Sequence, residues 1–224
     1  MVSELTLYAG AIALAYLFGS IPFAVLLTRL FEGEDIRRLG TRNPGAANVF
    51  REVGQLAGLM VGVLDMFKGV VPVLLAVHLF ELGAVGGALA GMAAVVGHML
   101  SIFLRFHGGA GLATAIGGIV ALLPGPFVTV AMVGAILALF TRNMGWTGGI
   151  LLAMTLGLGS LSAATDLPFL SGSLKVEGLG PVYASFAISS LLLLHFWARR
   201  VSAWWRGRED DEALTAKEGQ RRSG

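Results

Sequence analysis

Cysteine is absent from the 224 residues, which excludes a disulfide framework and any thiolate metal site. The sequence has no HExxH and no His/Cys cluster, so neither a metal nor a cofactor is expected. Charge is scarce: 13% of residues are charged, against roughly 25% in soluble domains. The first residues lack the basic segment and cleavage site of a secretory signal peptide. What is plentiful is apolar. Hydrophobic residues make up 55% of the chain and mean hydropathy is +0.77. Glycine is abundant at 32 residues, as expected where helices pack closely in lipid. The expected class is an all-α polytopic membrane protein, with one transmembrane domain over 1–200 and a polar tail over 201–224, disordered at its end. Membrane lipids are its expected surroundings, and no nucleic-acid partner is expected.

Apolar runs of about 17–25 residues can cross a bilayer. The first runs from Leu5 to Leu30 and contains Gly19-Ser20-Ile21-Pro22-Phe23, whose proline is expected to kink the helix or free a carbonyl. The second runs from about Gly58 to Phe80, the third from about Gly83 to Leu104. Leu112 to Leu123 and Phe127 to Phe140 read as a hairpin turning at Pro124-Gly125-Pro126. Trp146 to Ala163 and Pro181 to Ala198 complete about seven spans. With the N-terminus outside, the inner connections hold Arg37, Arg38, Arg42, Arg51, Arg105, Arg142, Arg199 and Arg200, and the outer ones hold only Lys175. The positive-inside rule therefore places the N-terminus outside and the C-terminus in the cytoplasm.

One charged stretch interrupts this apolar frame: Asp35-Ile36-Arg37-Arg38-Leu39-Gly40-Thr41-Arg42-Asn43-Pro44-Gly45-Ala46-Ala47-Asn48-Val49-Phe50-Arg51. Asn43-Pro44-Gly45 signals a tight turn. Freed N–H groups beside arginine forks suit an anion.

Asp65 and Lys68 lie three apart on one helix face. Ionisable groups inside a span are functional candidates, here for substrate or proton handling; an ion pair that docks the helix is the other reading. Gly108, Gly109 and Gly111 precede an apolar helix, which suits phosphate or, equally, a close helix contact. His98 by itself reads as a satisfied interior histidine. Arg142 reads as a charge anchor or an anion contact, and His78 and His195 as structural.

In this order, the motifs resemble those of the bacterial acyl-phosphate-dependent glycerol-3-phosphate acyltransferases of the PlsY type. The resemblance rests on Gly19 to Phe23, Asp35 to Val49, Asp65-Met66-Phe67-Lys68-Gly69, and Gly97-His98 through Gly108-Gly109-Ala110-Gly111 to Thr114, and it spans about residues 10–210. It implies a seven-helix enzyme of the bacterial inner membrane that works in phospholipid synthesis. Its substrates would be acyl-phosphate and glycerol 3-phosphate, its products lysophosphatidate and phosphate. It implies catalytic roles for Asp65, Lys68 and His98. Substrate contacts would come from Ser20, Arg42, Asn43, Gly45, Asn48, Ser101, Gly108, Gly109, Gly111 and Arg142.

This chain departs from the family pattern at several polar positions. Ala110 stands where the family has lysine, Gly145 where it has serine, and Trp197 and Arg200 where it has histidine and asparagine. Thr41-Arg42 replaces Ser-Gly, and Ala47 replaces threonine. Arg42, Arg105, His107 and Arg200 are the candidates to replace the lost positive charge. Two other functions stay open at this stage: a catalytically silent relative that binds a lipid phosphate or a partner, and a small anion transporter.

Overall fold

The computed structural model describes residues 3–123, 154, 157, 161, 180, 182–185, 187–191 and 194. Arg142, Gly145, Lys175, His195, Trp197, Arg199 and Arg200, and the runs expected over Phe127 to Phe140 and most of Trp146 to Ala163, lie outside them. The chain forms two compact units, Met1–Ser189 and Ser190–Gly224. The site and the helices that frame it lie in the first.

Six helices carry the described fold: α1 (Glu4–Ser20), α2 (Phe23–Glu32), α3 (Ala46–Glu52), α4 (Gln55–Leu74), α5 (Gly83–Met99) and α6 (Leu112–Leu122). A π-helical turn, Leu75–Leu79, extends α4, and a short 3₁₀ turn, Ile102–Leu104, follows α5. Among the described residues, three segments are long and apolar enough to cross a membrane: Glu4–Glu32, Gln55–Leu79 and Gly83–Leu104. The shortest has 22 residues, or about 33 Å of helix, enough for a ~30 Å hydrocarbon core. A shorter apolar helix, Val182–Leu191, falls within the last expected span.

The packing is that of a lipid-solvated bundle. Leu14, Leu17, Leu59, Val63 and Phe67 face outward, while Ala11, Ala15, Ala90 and Ala94 are buried. Between helices in lipid, small residues let backbones approach. α1 packs along α5, and α4 along α6. A Cβ on Gly19 would strike the Ala94 backbone, and one on Gly69 would strike the Thr114 carbonyl.

The first span breaks where the sequence predicts. Pro22 has φ −90° and ψ 66°, and the Phe23 N–H donates to the Ile21 carbonyl at 3.1 Å. That is an inverse γ-turn. Ser20 keeps a free carbonyl, and the Ser101 hydroxyl donates to it.

The arginine-rich stretch is a folded cap. Ile36 and Val49 are fully buried and pack with Ala24, Val25, Ala57, Val61 and Leu104. The sequence reading missed α3, although Ala46-Ala47 followed by Val49 after the Gly45 turn carries its signal. Asn48 clamps the cap: its Oδ1 accepts from the Thr41 N–H at 3.0 Å, and its amide donates to the Leu39 carbonyl at 3.0 Å.

At the entry to the cap, Asp35 accepts from Arg37 at 2.7 Å and from Arg29 at 2.9 Å. The Arg37 hydrogen bond is the main cause that holds the Asp35 carboxyl well below the usual carboxylate range. A depressed folded pKa gives stability that is present above the unfolded value, near 3.9, and lost as pH falls below it. The cap is therefore expected to resist proteolysis equally from pH 5 to 9 and to loosen below about pH 4. Asp35→Asn is expected to abolish that acid step and cost only about 0.5–1 kcal/mol, because both guanidiniums reach solvent. A cap whose acid step persists in this variant would exclude Asp35 as its cause.

Candidate active site

Asp65 and Lys68 occupy one face of α4, as their spacing predicts, and both are only 2% exposed. Lys68 Nζ lies 2.8 Å from Asp65 Oδ1. The pair is close but poorly aligned, so this buried oxygen lacks a hydrogen bond of good geometry among the described residues. α5 brings in His98, whose Nδ1 is 3.4 Å from Lys68 Nζ and 3.7 Å from Asp65 Oδ1. The longer distance is outside hydrogen-bond range. An ammonium has only donors, so Nδ1 accepts from Lys68 and the neutral ring carries its proton on Nε2. The Phe23 ring completes the surroundings, with its centroid 5.0 Å from Lys68 Nζ.

A narrow cleft opens onto this cluster. Ser20, Pro22, Phe23, Pro44, Ser101 and Gly109 line it together with Asp65, Lys68 and His98. Its volume is about 10 Å³, room for roughly one water. The helix break, the cap, α4 and the glycine loop thus converge on one point. Of the residues expected at the site, Ser20, Asp65, Lys68, His98, Ser101 and Gly109 meet there. Gly45 is buried beside Pro44 and stands at the N-cap of α3. Asn43 has a buried carboxamide oxygen without a hydrogen bond among the described residues. Arg42 is exposed in the cap, with φ 59°. Arg142 lies outside the described residues.

Two groups of expected phosphate contacts have partners inside the protein. The N–H groups of Gly108 and Gly109 do not form an open phosphate cradle. Gly108 donates to the Met99 carbonyl at 2.9 Å, and Gly109 to the His98 carbonyl at 3.1 Å. They close the C-terminal end of α5, which otherwise leaves carbonyls unpaired. A Cβ on Gly109 would meet His98 Nε2, and the Pro44 carbonyl at 2.8 Å. The glycines therefore serve close packing across His98. Gly111 has φ 80° and caps the N-terminus of α6. Asn48 is the other: its Oδ1 accepts from the Thr41 N–H and its amide donates to the Leu39 carbonyl, both within the cap. Phe23 and Pro44 were not singled out as site residues, because their positions depend on the break and the turn rather than on a chemical motif.

A helical, multi-pass membrane fold that buries a Lys–Asp–His cluster beneath a basic cap defines a class of integral membrane protein with an ionisable site inside its helix bundle. Comparison with known proteins narrows that class. The family model described as "Glycerol-3-phosphate acyltransferase" matches residues 9–203. A glycerol-3-phosphate acyltransferase of Geotalea daltonii is 39% identical over 180 residues, covering 80% of this chain and 83% of that protein. Glycerol-3-phosphate acyltransferase 2 of Moorella thermoacetica is 42% identical over 160 residues, covering 71% and 75%. The crystal structure of PlsY (YgiH), an integral membrane glycerol 3-phosphate acyltransferase in its glycerol 3-phosphate form, superposes with a TM-score of 0.69 at 28% identity, covering 90% of this chain and 93% of that one. Its lysphosphatidic acid form gives 0.68 at 26% identity. The chain belongs to the glycerol-3-phosphate acyltransferase family.

Proposed function

We propose that this protein transfers an acyl group from acyl-phosphate to the 1-hydroxyl of glycerol 3-phosphate, giving lysophosphatidate and phosphate. The observation that carries this reading is the buried Asp65–Lys68–His98 cluster at the cleft, in a chain of this family. Acyl-phosphate is already activated, so no covalent enzyme nucleophile is needed. The hydroxyl oxygen attacks the acyl carbon, a new C–O bond forms, and phosphate leaves with the electrons of the old one. Asp65 Oδ1, the unsatisfied acceptor, takes the hydroxyl proton. The Lys68 ammonium and the His98 Nε2–H stabilise the developing negative charge, and positioning supplies much of the remaining acceleration. Arg42, Asn43 and Arg142 contact the phosphates, Ser20 and Ser101 orient the acceptor, and Gly109 and Gly111 hold the loop beside it.

The same proposal includes seven spans, an outer N-terminus, a cytoplasmic C-terminus and residence in the bacterial inner membrane. The distribution of arginine and lysine supports it. It also includes a single transmembrane domain over 1–200 followed by a polar tail over 201–224.

Sealed vesicles containing purified protein provide the test. Acyl-phosphate and glycerol 3-phosphate are expected to yield lysophosphatidate without net entry of glycerol 3-phosphate. Uptake without product would instead establish the transporter, and phosphate binding with neither would establish the silent relative.

A further inference from the structure

We propose that Phe23 is a positioning residue that covers the Lys68 ammonium until the anionic group of a phosphate-bearing ligand displaces its ring. This rests on the reading of the cluster as an anion site. Lys68 has three donors and is almost wholly buried. Asp65 Oδ1 lies at 2.8 Å, His98 Nδ1 at 3.4 Å, and the Phe23 ring centroid at 5.0 Å. Of these partners, only the ring can leave without stranding a buried charge or breaking the contact between α4 and α5.

The surroundings point the same way. The cleft holds roughly one water, so a phosphate cannot enter unless a wall moves. The backbone around the cleft is closely packed. Gly97, next to His98, packs on the Tyr16 carbonyl, Gly19, next to Ser20, packs on Ala94, and Gly109 in the lining meets His98 Nε2 and the Pro44 carbonyl. Phe23 is different. It is half-buried and stands first in α2, directly after the γ-turn at Pro22. Rotation of its side chain opens the cleft toward Lys68. An anion in a low-dielectric site attracts an ammonium more strongly than an aromatic face does, which lets it compete with the ring for Lys68. While the site is empty, the ring adds its attraction to the hold that Asp65 has on the ammonium.

Phe23→Leu removes the aromatic face and leaves an apolar side chain, whereas Phe23→Tyr keeps the ring. Inorganic phosphate binding to purified protein, measured by calorimetry, reads the effect without turnover. Phe23→Leu is expected to bind phosphate about three- to tenfold more tightly and to lower KM for glycerol 3-phosphate by a similar factor, with no gain in kcat. Phe23→Tyr is expected to match the wild type. Phe23→Met carries the same test if the leucine variant does not fold. Unchanged or weaker phosphate binding in a folded variant would overturn the proposal, as would a tyrosine variant that behaves like leucine. Tighter phosphate binding in a protein whose wild type transfers no acyl group would support the role of Phe23 while removing the acyltransferase reading.

Discussion

Lys68→Met alone is expected to destabilise the protein by about 3–5 kcal/mol, whereas the Asp65→Leu/Lys68→Met double variant loses much less. The single change leaves the Asp65 carboxylate almost fully buried without its counter-charge. The double change removes both charges and replaces them with apolar side chains of similar volume, which is often neutral for a buried pair. Melting temperature and monodisperse yield in detergent measure the difference. Activity separates stability from function, because the double variant is expected to fold and still transfer no acyl group. Equal destabilisation in the single and double variants would show that the two residues are not a mutual pair.

The second large effect concerns Gly109. Gly109→Ala places a methyl group against His98 Nε2 and the Pro44 carbonyl, at the junction of the glycine loop, α5 and the cap. Displacing a reacting group by about 1 Å can cost 10²-fold in rate, and a loss of about that size is expected here. Gly10→Ala is the control, since a Cβ there meets nothing within 4 Å. A Gly109→Ala enzyme with a near-normal rate would mean that the His98 ring is not held for chemistry.

The sequence made some of this legible and hid the rest for definite reasons. The break at Pro22 follows from proline's lost N–H and fixed φ, which act wherever the chain goes. Asp65 and Lys68 share a face because helical geometry alone sets an i, i+3 pair. The third span, Gly83–Leu104, matches its expected ends because its apolar run is continuous. His98 is another matter. It lies 30 residues beyond Lys68, and only the packing of α4 with α5 brings the two together. The glycine loop was ambiguous for the same reason. Whether its N–H groups face a ligand or the carbonyls of α5 depends on where the chain turns back. Asn48 is expected as a ligand from the family resemblance, and the fold of the cap, which engages its amide, is not written in the motif. Ala110 is legible as a departure from the family pattern, but its consequence depends on the cations around the cleft.

Those substituted positions make turnover by the unmodified protein the most direct measurement. Purified protein in lipid, given acyl-phosphate and glycerol 3-phosphate, is expected to form one lysophosphatidate for each phosphate released, with no release when glycerol 3-phosphate is omitted. Folded, monodisperse protein that forms no lysophosphatidate, or that releases phosphate without the acceptor, would contradict acyl transfer at the Asp65–Lys68–His98 site.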